Sequence, residues 1–89
     1  MNNKMIQFGN KSQYNFVNKF LVNYAMEKNM FGEIDGLRNF ARYKRNHEIE
    51  IFLFDNKIIF KGYNEKMIGQ LENDLKEGLK NLNVEAKVE

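Results

Sequence analysis

Apolar and charged residues alternate most regularly in the second half of the chain. Two runs rich in β-branched and aromatic residues, at about 48–54 and 58–63, flank a turn-forming Asp-Asn-Lys segment at 55–57. Such runs predict the two strands of a β-hairpin. If the turn consists of the first two residues of that segment, Glu50 lies opposite Lys61 as a pair of unlike charges. A longer loop would shift the register and lose this pair, so the shorter turn is predicted.

The predicted register gives the hairpin two faces of different character. The first is apolar and is expected to pack against helices; it carries Ile49, Ile51, Leu53, Ile58 and Phe60. The second mixes charges with large apolar side chains, which are Phe52, Phe54, Ile59 and Tyr63. An exposed cluster of this kind usually marks an interface with a partner protein or with stacked bases. The alternative is that the first helix covers this face as well, which would make a three-layer domain.

A helix is predicted after the hairpin, where Asn64 is a suitable N-cap. Large aliphatic residues then recur at spacings of three and four; they are Ile68, Leu71, Leu75, Leu79 and Leu82. Gly69 and Gly78 each weaken such a helix by about 1 kcal/mol relative to Ala, a cost that close packing or fraying near the helix end would explain.

Two further helices are predicted in the first half of the chain. Ser12 is the expected N-cap of the first, whose apolar face gathers Phe16, Val17, Phe20, Leu21, Tyr24 and Ala25. Asp35 is the expected cap of a second, shorter helix over 37–44, whose apolar residues are Leu37, Phe40 and Ala41. Short strands over 5–8 and 84–88 would complete the sheet. The predicted fold is α+β: a small antiparallel sheet built on the central hairpin, with two N-terminal helices and one C-terminal helix.

Chain length and composition indicate the number of domains and the expected cellular location. The chain has 89 residues, which fits one domain over 1–89, and its lack of Cys excludes disulfides and thiolate metal sites. No apolar stretch is long enough to cross a bilayer and none has the pattern of a signal peptide, so a cytoplasmic location without a membrane partner is expected. The abundance of Asn, Lys and Ile and the absence of Pro indicate an AT-rich gene, as in a low-GC bacterium, its phages or its plasmids.

The side chains that ordinary catalysis needs are almost missing. Ser12 is the only Ser, His47 is the only His, and Thr is absent, so a nucleophile with an adjacent base is not expected. Glu48 and Glu50 could in principle hold Mg²⁺, but alternating carboxylates at the start of a strand are more often a solvated edge. The glycines match no nucleotide-binding motif. We therefore expect no enzyme, no cofactor and no bound metal.

All three arginines, Arg38, Arg42 and Arg45, fall within eight consecutive positions. On the predicted second helix they would line one face beside Lys44, with His47 at its edge. Guanidinium groups bind phosphates and carboxylates through two oxygens at once, which makes this face a candidate binding surface. The alternative is a solvated helix face neutralised by nearby carboxylates.

These features favour a non-enzymatic protein-binding module from a phage or mobile element that inhibits a host macromolecule by covering its functional surface. Anti-CRISPR proteins offer the analogy. The predicted partner-binding residues are Arg38, Arg42, Lys44, Arg45, Phe52, Phe54, Ile59 and Tyr63. One alternative is a nucleic-acid binder that uses the arginine face, although the net charge of +2 is small. A second is a homo-oligomeric structural or assembly protein, because the core of so short a chain is thin.

Overall fold

Six β-strands form one antiparallel sheet in the part of the chain that the computed structural model describes, residues 2–9 and 11–89. In chain order they are β1 (Asn2–Phe8), β2 (Phe31–Asp35), β3 (Phe40–Arg45), β4 (Ile49–Leu53), β5 (Lys57–Gly62) and β6 (Ala86–Val88). Their spatial order is β2-β3-β4-β5-β1-β6. Two helices accompany them, α1 (Tyr14–Glu27), which follows a 3-10 turn at Lys11–Gln13, and α2 (Glu65–Asn81). The predicted α+β class is confirmed, but the layout has one helix fewer and a larger sheet.

The predicted register of the β4–β5 hairpin is confirmed. Glu50 lies opposite Lys61, and Leu53 lies opposite Ile58. The backbone N–H of Phe54 donates to the carbonyl oxygen of Lys57 at 2.8 Å, which closes the turn around two residues. The strands expected at the two ends of the sequence also form, and β1 lies between β5 and β6.

One row of directly opposed residues shows that both helices cover the same face of the sheet. The row crosses β3, β4, β5 and β1 through Tyr43, Ile51, Phe60 and Lys4. At one end, the Tyr43 hydroxyl donates a hydrogen bond to Oδ1 of Asn18 on α1. At the other end, Nζ of Lys4 lies 2.6 Å from a carboxylate oxygen of Glu72 on α2. Directly opposed residues share a face, so the domain has two layers, and the three-layer alternative is wrong.

The core lies between this covered face and the two helices. Completely buried side chains come from β1, β3, β4 and β5 and from both helices; they are Ile6, Ala41, Ile51, Leu53, Ile58, Phe60, Val17, Leu21, Leu75 and Leu79. The N-cap of α2 is Asn64, as predicted, and its Oδ1 accepts the backbone N–H of Met67 at 2.9 Å. In α1 the cap residue is Gln13 and not Ser12, because the 3-10 turn precedes the helix. Phe16, which was expected on the buried face of α1, is 64% exposed.

The predicted helix over 37–44 is wrong, because this segment holds the loop and the second strand of a β2–β3 hairpin. Asp35 does cap a turn: its Oδ1 accepts the backbone N–H groups of Leu37 and Arg38 at 3.2 and 3.3 Å. Side-chain bonds of the same kind begin both helices and turns. Here the chain leaves the turn through Asn39, whose left-handed φ of 48° stops a helix, and it continues as a strand.

Burial along β3 alternates with a period of two, as in a strand. Ala41 and Tyr43 are buried on the covered face, while Arg42 and Lys44 lie on the other face. The strand pairs with β2 on one side and with β4 on the other. These long-range ladders satisfy the backbone groups of β3, and they outweigh the helical spacing of apolar residues that the segment also contains.

Asparagine supplies the left-handed backbone positions of the described residues. Four non-glycine residues have positive φ, and they are Asn29, Asn39, Asn46 and Asn83. Asn adopts this conformation more readily than other residues that carry a Cβ. The four positions lie after α1, in the β2–β3 loop, after β3 and after α2, so each sharp change of direction there uses Asn in place of Gly.

Candidate binding surface

The face of the sheet that points away from the helices, called the open face below, has no described element packed over it. Three rows of directly opposed residues cross it. The first is Phe31, Lys44, Glu50, Lys61 and Asn3; the second is Glu33, Arg42, Phe52, Ile59 and Met5. The third contains Asp35 and Phe40 on β2 and β3, then Lys57, Gln7 and Lys87 on β5, β1 and β6. The open face therefore mixes aromatic, aliphatic and charged side chains throughout.

Three phenylalanines on and next to β3 and β4 form a cluster on the open face. The ring centroid of Phe40 lies 6.4 Å from that of Phe52 and 5.4 Å from that of Phe54, and both ring pairs are tilted. Aromatic pairs prefer offset or tilted arrangements at such distances. All three rings are half-buried. The cluster is thus an ordered patch that is only partly covered by its own neighbours.

Cationic side chains lie over the faces of these rings. The guanidinium carbon of Arg42 is 5.7 Å from the centroid of Phe52, and Nζ of Lys61 is 5.5 Å from the same centroid. Nζ of Lys57 is 5.4 Å from the centroid of Phe54. Cations within about 6 Å of a ring centroid are attracted to the aromatic face. The aliphatic parts of these long side chains cover part of the ring surface.

The charges of the open face are only partly neutralised. Arg42 binds Glu50 through an N–O contact of 2.6 Å, with both side chains half-buried. None of the ion pairs found among residues 2–9 and 11–89 involves the lysines of the open face, which are Lys44, Lys57, Lys61 and Lys87. These four ammonium groups are available to a partner that presents carboxylates or phosphates.

Five of the predicted partner-binding residues come together on the open face: Arg42, Lys44, Phe52, Phe54 and Ile59. The other three lie elsewhere. Arg38 is in the β2–β3 loop, 3.6 Å from a carboxylate oxygen of Asp35. Arg45 points to the covered side, where it donates to the carbonyl oxygen of Lys28 at 3.0 Å. Tyr63 is 67% exposed in the connection between β5 and α2.

The predicted arginine face does not exist, because its supporting helix is a strand. Successive residues of a strand point to opposite sides, so residues three apart such as Arg42 and Arg45 separate. Phe40 and Phe31 were not among the predicted partner-binding residues. Phe40 was expected among the apolar residues of that helix but lies on the open face, and Phe31 is 79% exposed on the same face. The alternation of Ala41-Arg42-Tyr43-Lys44 is compatible with a strand, which would place Phe40 on the same face as Arg42, but the apolar spacing of the segment fits a helix as well.

The titratable groups with shifted pKa values lie on the covered side of the sheet. Burial raises the pKa of Tyr43 to about 12. Burial, together with a hydrogen bond to Asp74 at 2.7 Å, raises the pKa of Tyr24 above its ordinary range. These hydroxyls join the helices to the sheet and to each other. The open face offers contact area and charge, and His47 lies outside it in the exposed β3–β4 turn.

The described residues contain no group of three or more His, Asp or Glu side chains that could hold a metal ion. Neither of the described helices is long and apolar enough to cross a membrane. Comparison with known proteins finds no family model that matches the chain and no curated protein that matches it.

Proposed function

We propose that this protein is a non-enzymatic binding module that contacts a partner protein through its open face. The observation that carries the proposal is the ordered cluster of Phe40, Phe52 and Phe54 on an uncovered sheet face. Water-exposed aromatic patches bordered by polar residues mark interaction sites in soluble proteins. Aromatic residues and Arg are also the side chains that dominate binding energy at protein interfaces, and Arg42 lies over Phe52.

The coverage of the rings favours a protein partner over nucleic acid. A base stacks on the face of an aromatic ring, but Arg42 and Lys61 already lie over Phe52, and Lys57 lies over Phe54. Stacking would have to displace these cations. The open face also carries Glu33 and Glu50, which repel phosphate. A protein surface with apolar residues and carboxylates can satisfy the same mixture of groups.

The mode of action that we propose is occlusion, in which the module covers a functional surface of its partner. The composition supports this mode, because a chain with a single Ser and a single His offers few side chains that could act as a nucleophile or a general base. The AT-rich composition supports an origin in a phage or a mobile element, where small inhibitors of host macromolecules are common.

The test is an affinity capture from the lysate of a low-GC bacterium, repeated with the Phe52→Ala/Phe54→Ala variant. The matched control is Phe16→Ala, which removes another exposed ring from α1 on the opposite side of the domain. We expect the Phe52→Ala/Phe54→Ala variant to capture at least tenfold less of the partner protein, and the Phe16→Ala control to capture as much as the unmodified protein. Equal capture by all three proteins would contradict the proposal.

One observation favours nucleic acid as a second candidate partner, namely the four lysines of the open face that form no ion pair with a described residue. The capture is therefore run with and without nuclease. If phosphates are the ligands, each lysine replaced by Ala should reduce the slope of log affinity against log salt by about 0.7 to 0.9. Loss of every captured protein after nuclease treatment would replace the protein partner with nucleic acid.

A further inference from the structure

The edge strand β2 is unusually open. It is the first strand in the spatial order of the sheet, so one of its two edges has no neighbouring strand among the described residues. Four of its five residues are exposed and the fifth is half-exposed. The exposed side chains include Phe31 at 79% and Ile34 at 55%, and the loop that follows adds Leu37 at 100%. An edge of this kind presents free backbone N–H and carbonyl groups beside apolar surface.

The opposite edge of the sheet is protected in a way that β2 is not. The strand there, β6, has only three residues, and its middle residue is Lys87. Short edge strands with a central Lys are a common defence against unwanted pairing. β2 is longer, and it carries apolar side chains on both faces, with Phe31 on the open face and Ile34 on the covered side. A strand added along β2 would cover both of these side chains.

The charges of β2 indicate which side chains an added strand should carry. Glu33 and Asp35 both lie on the open face. A second copy of this chain, paired antiparallel over all five residues of β2, would place Glu33 opposite the same residue of its mate. Directly opposed like charges destabilise a strand pair, so self-association through this edge is disfavoured. Positive side chains opposite the two carboxylates would stabilise it.

The native neighbour of β2 already shows the complementary pattern. On β3, Arg42 lies opposite Glu33 on the open face, and Ala41 lies opposite Ile34 on the covered side. We propose that the free edge of β2 docks an extended segment of the partner protein, with basic residues toward the open face and apolar residues toward the helices. The choice of a protein as the source of this segment rests on the proposed function. Strand addition at the edge of β2 can be tested with a synthetic peptide, without the partner.

The probe is a short synthetic peptide in which Val and Lys alternate, added to the intact protein. We expect amide signals of β2 to shift in NMR spectra and to gain protection from hydrogen exchange. N-methylation of the peptide backbone on its ladder-forming side should weaken binding about tenfold or more, since it removes the hydrogen bonds of strand addition. A peptide in which Val and Glu alternate should bind at least tenfold more weakly than the Lys peptide.

Three variants separate this inference from general charge effects and from the proposed function. Glu33→Lys should weaken the Lys peptide about tenfold, while Glu77→Lys, which makes the same charge change at an exposed position of α2, should leave it unchanged. Phe52→Ala/Phe54→Ala should bind the peptide normally even where it fails to capture the partner. The inference is overturned if the Lys peptide does not shift β2, if the N-methylated or Glu peptide binds equally well, or if β2 is protected by dimerisation without peptide.

Discussion

The ring of Phe20 on α1 lies over Gly78 of α2, in the space that a side chain at position 78 would need. The ring of α1 therefore packs against α2 at a position that has no Cβ. Gly in the middle of a helix costs about 1 kcal/mol relative to Ala, and this contact offsets the cost at Gly78. Gly69, on the same helix, has no atom within 4 Å of the position of an added Cβ, so no packing compensates it.

The two glycines should respond to the same substitution with opposite signs. Gly69→Ala should raise the free energy of unfolding by about 0.5 to 1 kcal/mol, because it removes a helix-weakening residue in open space. Gly78→Ala should lower it by about 1 kcal/mol or more, because the methyl group displaces the ring of Phe20. Urea unfolding measures both values. Equal stabilisation by the two substitutions would mean that the ring moves away at no cost.

The stability of the domain should decrease in alkaline solution. The ordinary Tyr pKa is 10.0, whereas burial raises the pKa of Tyr43 to about 12, and burial with Asp74 raises the pKa of Tyr24 as well. The unfolded chain therefore releases these protons first, and the stabilisation is complete below pH 10 and lost as the pH rises toward the folded values. Denaturant unfolding from pH 9 to pH 12 should show this decline. Tyr24→Phe/Tyr43→Phe should flatten it, whereas Tyr63→Phe, which removes an exposed hydroxyl, should leave it unchanged.

The N-cap of α2 should be a measurable contribution to stability. Asn64→Ala removes the acceptor of the Met67 backbone N–H and should lower the free energy of unfolding by about 1 kcal/mol. Asn73→Ala is the matched control, because Asn73 is an exposed residue inside the same helix. Chemical denaturation compares the two. An equal loss in both variants would show that the cap bond contributes nothing of its own.

Among the arginines, only Arg42 should matter for binding at the open face. Arg42→Ala should weaken capture of the partner severalfold, while the loss of its partly exposed ion pair with Glu50 should cost no more than about 1 kcal/mol of stability. Arg38→Ala should change neither quantity, since Arg38 lies in the loop beside Asp35. Binding assays on the purified variants would show the contrast. Weaker binding by Arg38→Ala alone would move the interface from the sheet face to the loop.

The non-enzymatic proposal has its own test at the single histidine. His47 lies in an exposed turn after β3, so His47→Ala should keep both the fold and the biological activity. Circular dichroism checks the fold, and an inhibition or binding assay checks the activity. A loss of several hundredfold in the folded variant would point to catalysis by His47.

The elements that the sequence predicted correctly are those fixed by local patterns. The turn at Asp55-Asn56 and the opposite charges of Glu50 and Lys61 determine the register of the β4–β5 hairpin within a short stretch of chain. The stripe of α2 likewise follows from spacing along one helix, and Ile68, Leu71, Leu75 and Leu79 are buried as expected. Leu82, the fifth predicted member, lies just past the end of the helix and is 38% exposed.

The segment around the arginines could not be predicted in the same way. Asp35 makes the side-chain hydrogen bonds that begin either a helix or a turn, and the apolar spacing just after it fits a helix. What decides the outcome is the pairing of β3 with β4, which the residues of β3 do not encode by themselves. Whether Phe52 and Phe54 are covered depends, in turn, on the side of the sheet to which the connection from β1 carries α1.

The place of β1 in the sheet has a consequence for synthesis. The strands from β2 to β5 follow one another along both the chain and the sheet, so each can pair as soon as it leaves the ribosome. β1 is made before all of them, yet its neighbours are β5 and β6. The apolar residues Ile6 and Phe8 of β1 therefore stay unpaired until most of the chain has been translated. The pairing of β1 with β5 and β6 closes the longest loops of the sheet, so it should be the slow step in folding. A chaperone that shields the nascent β1 should therefore raise the yield of folded protein.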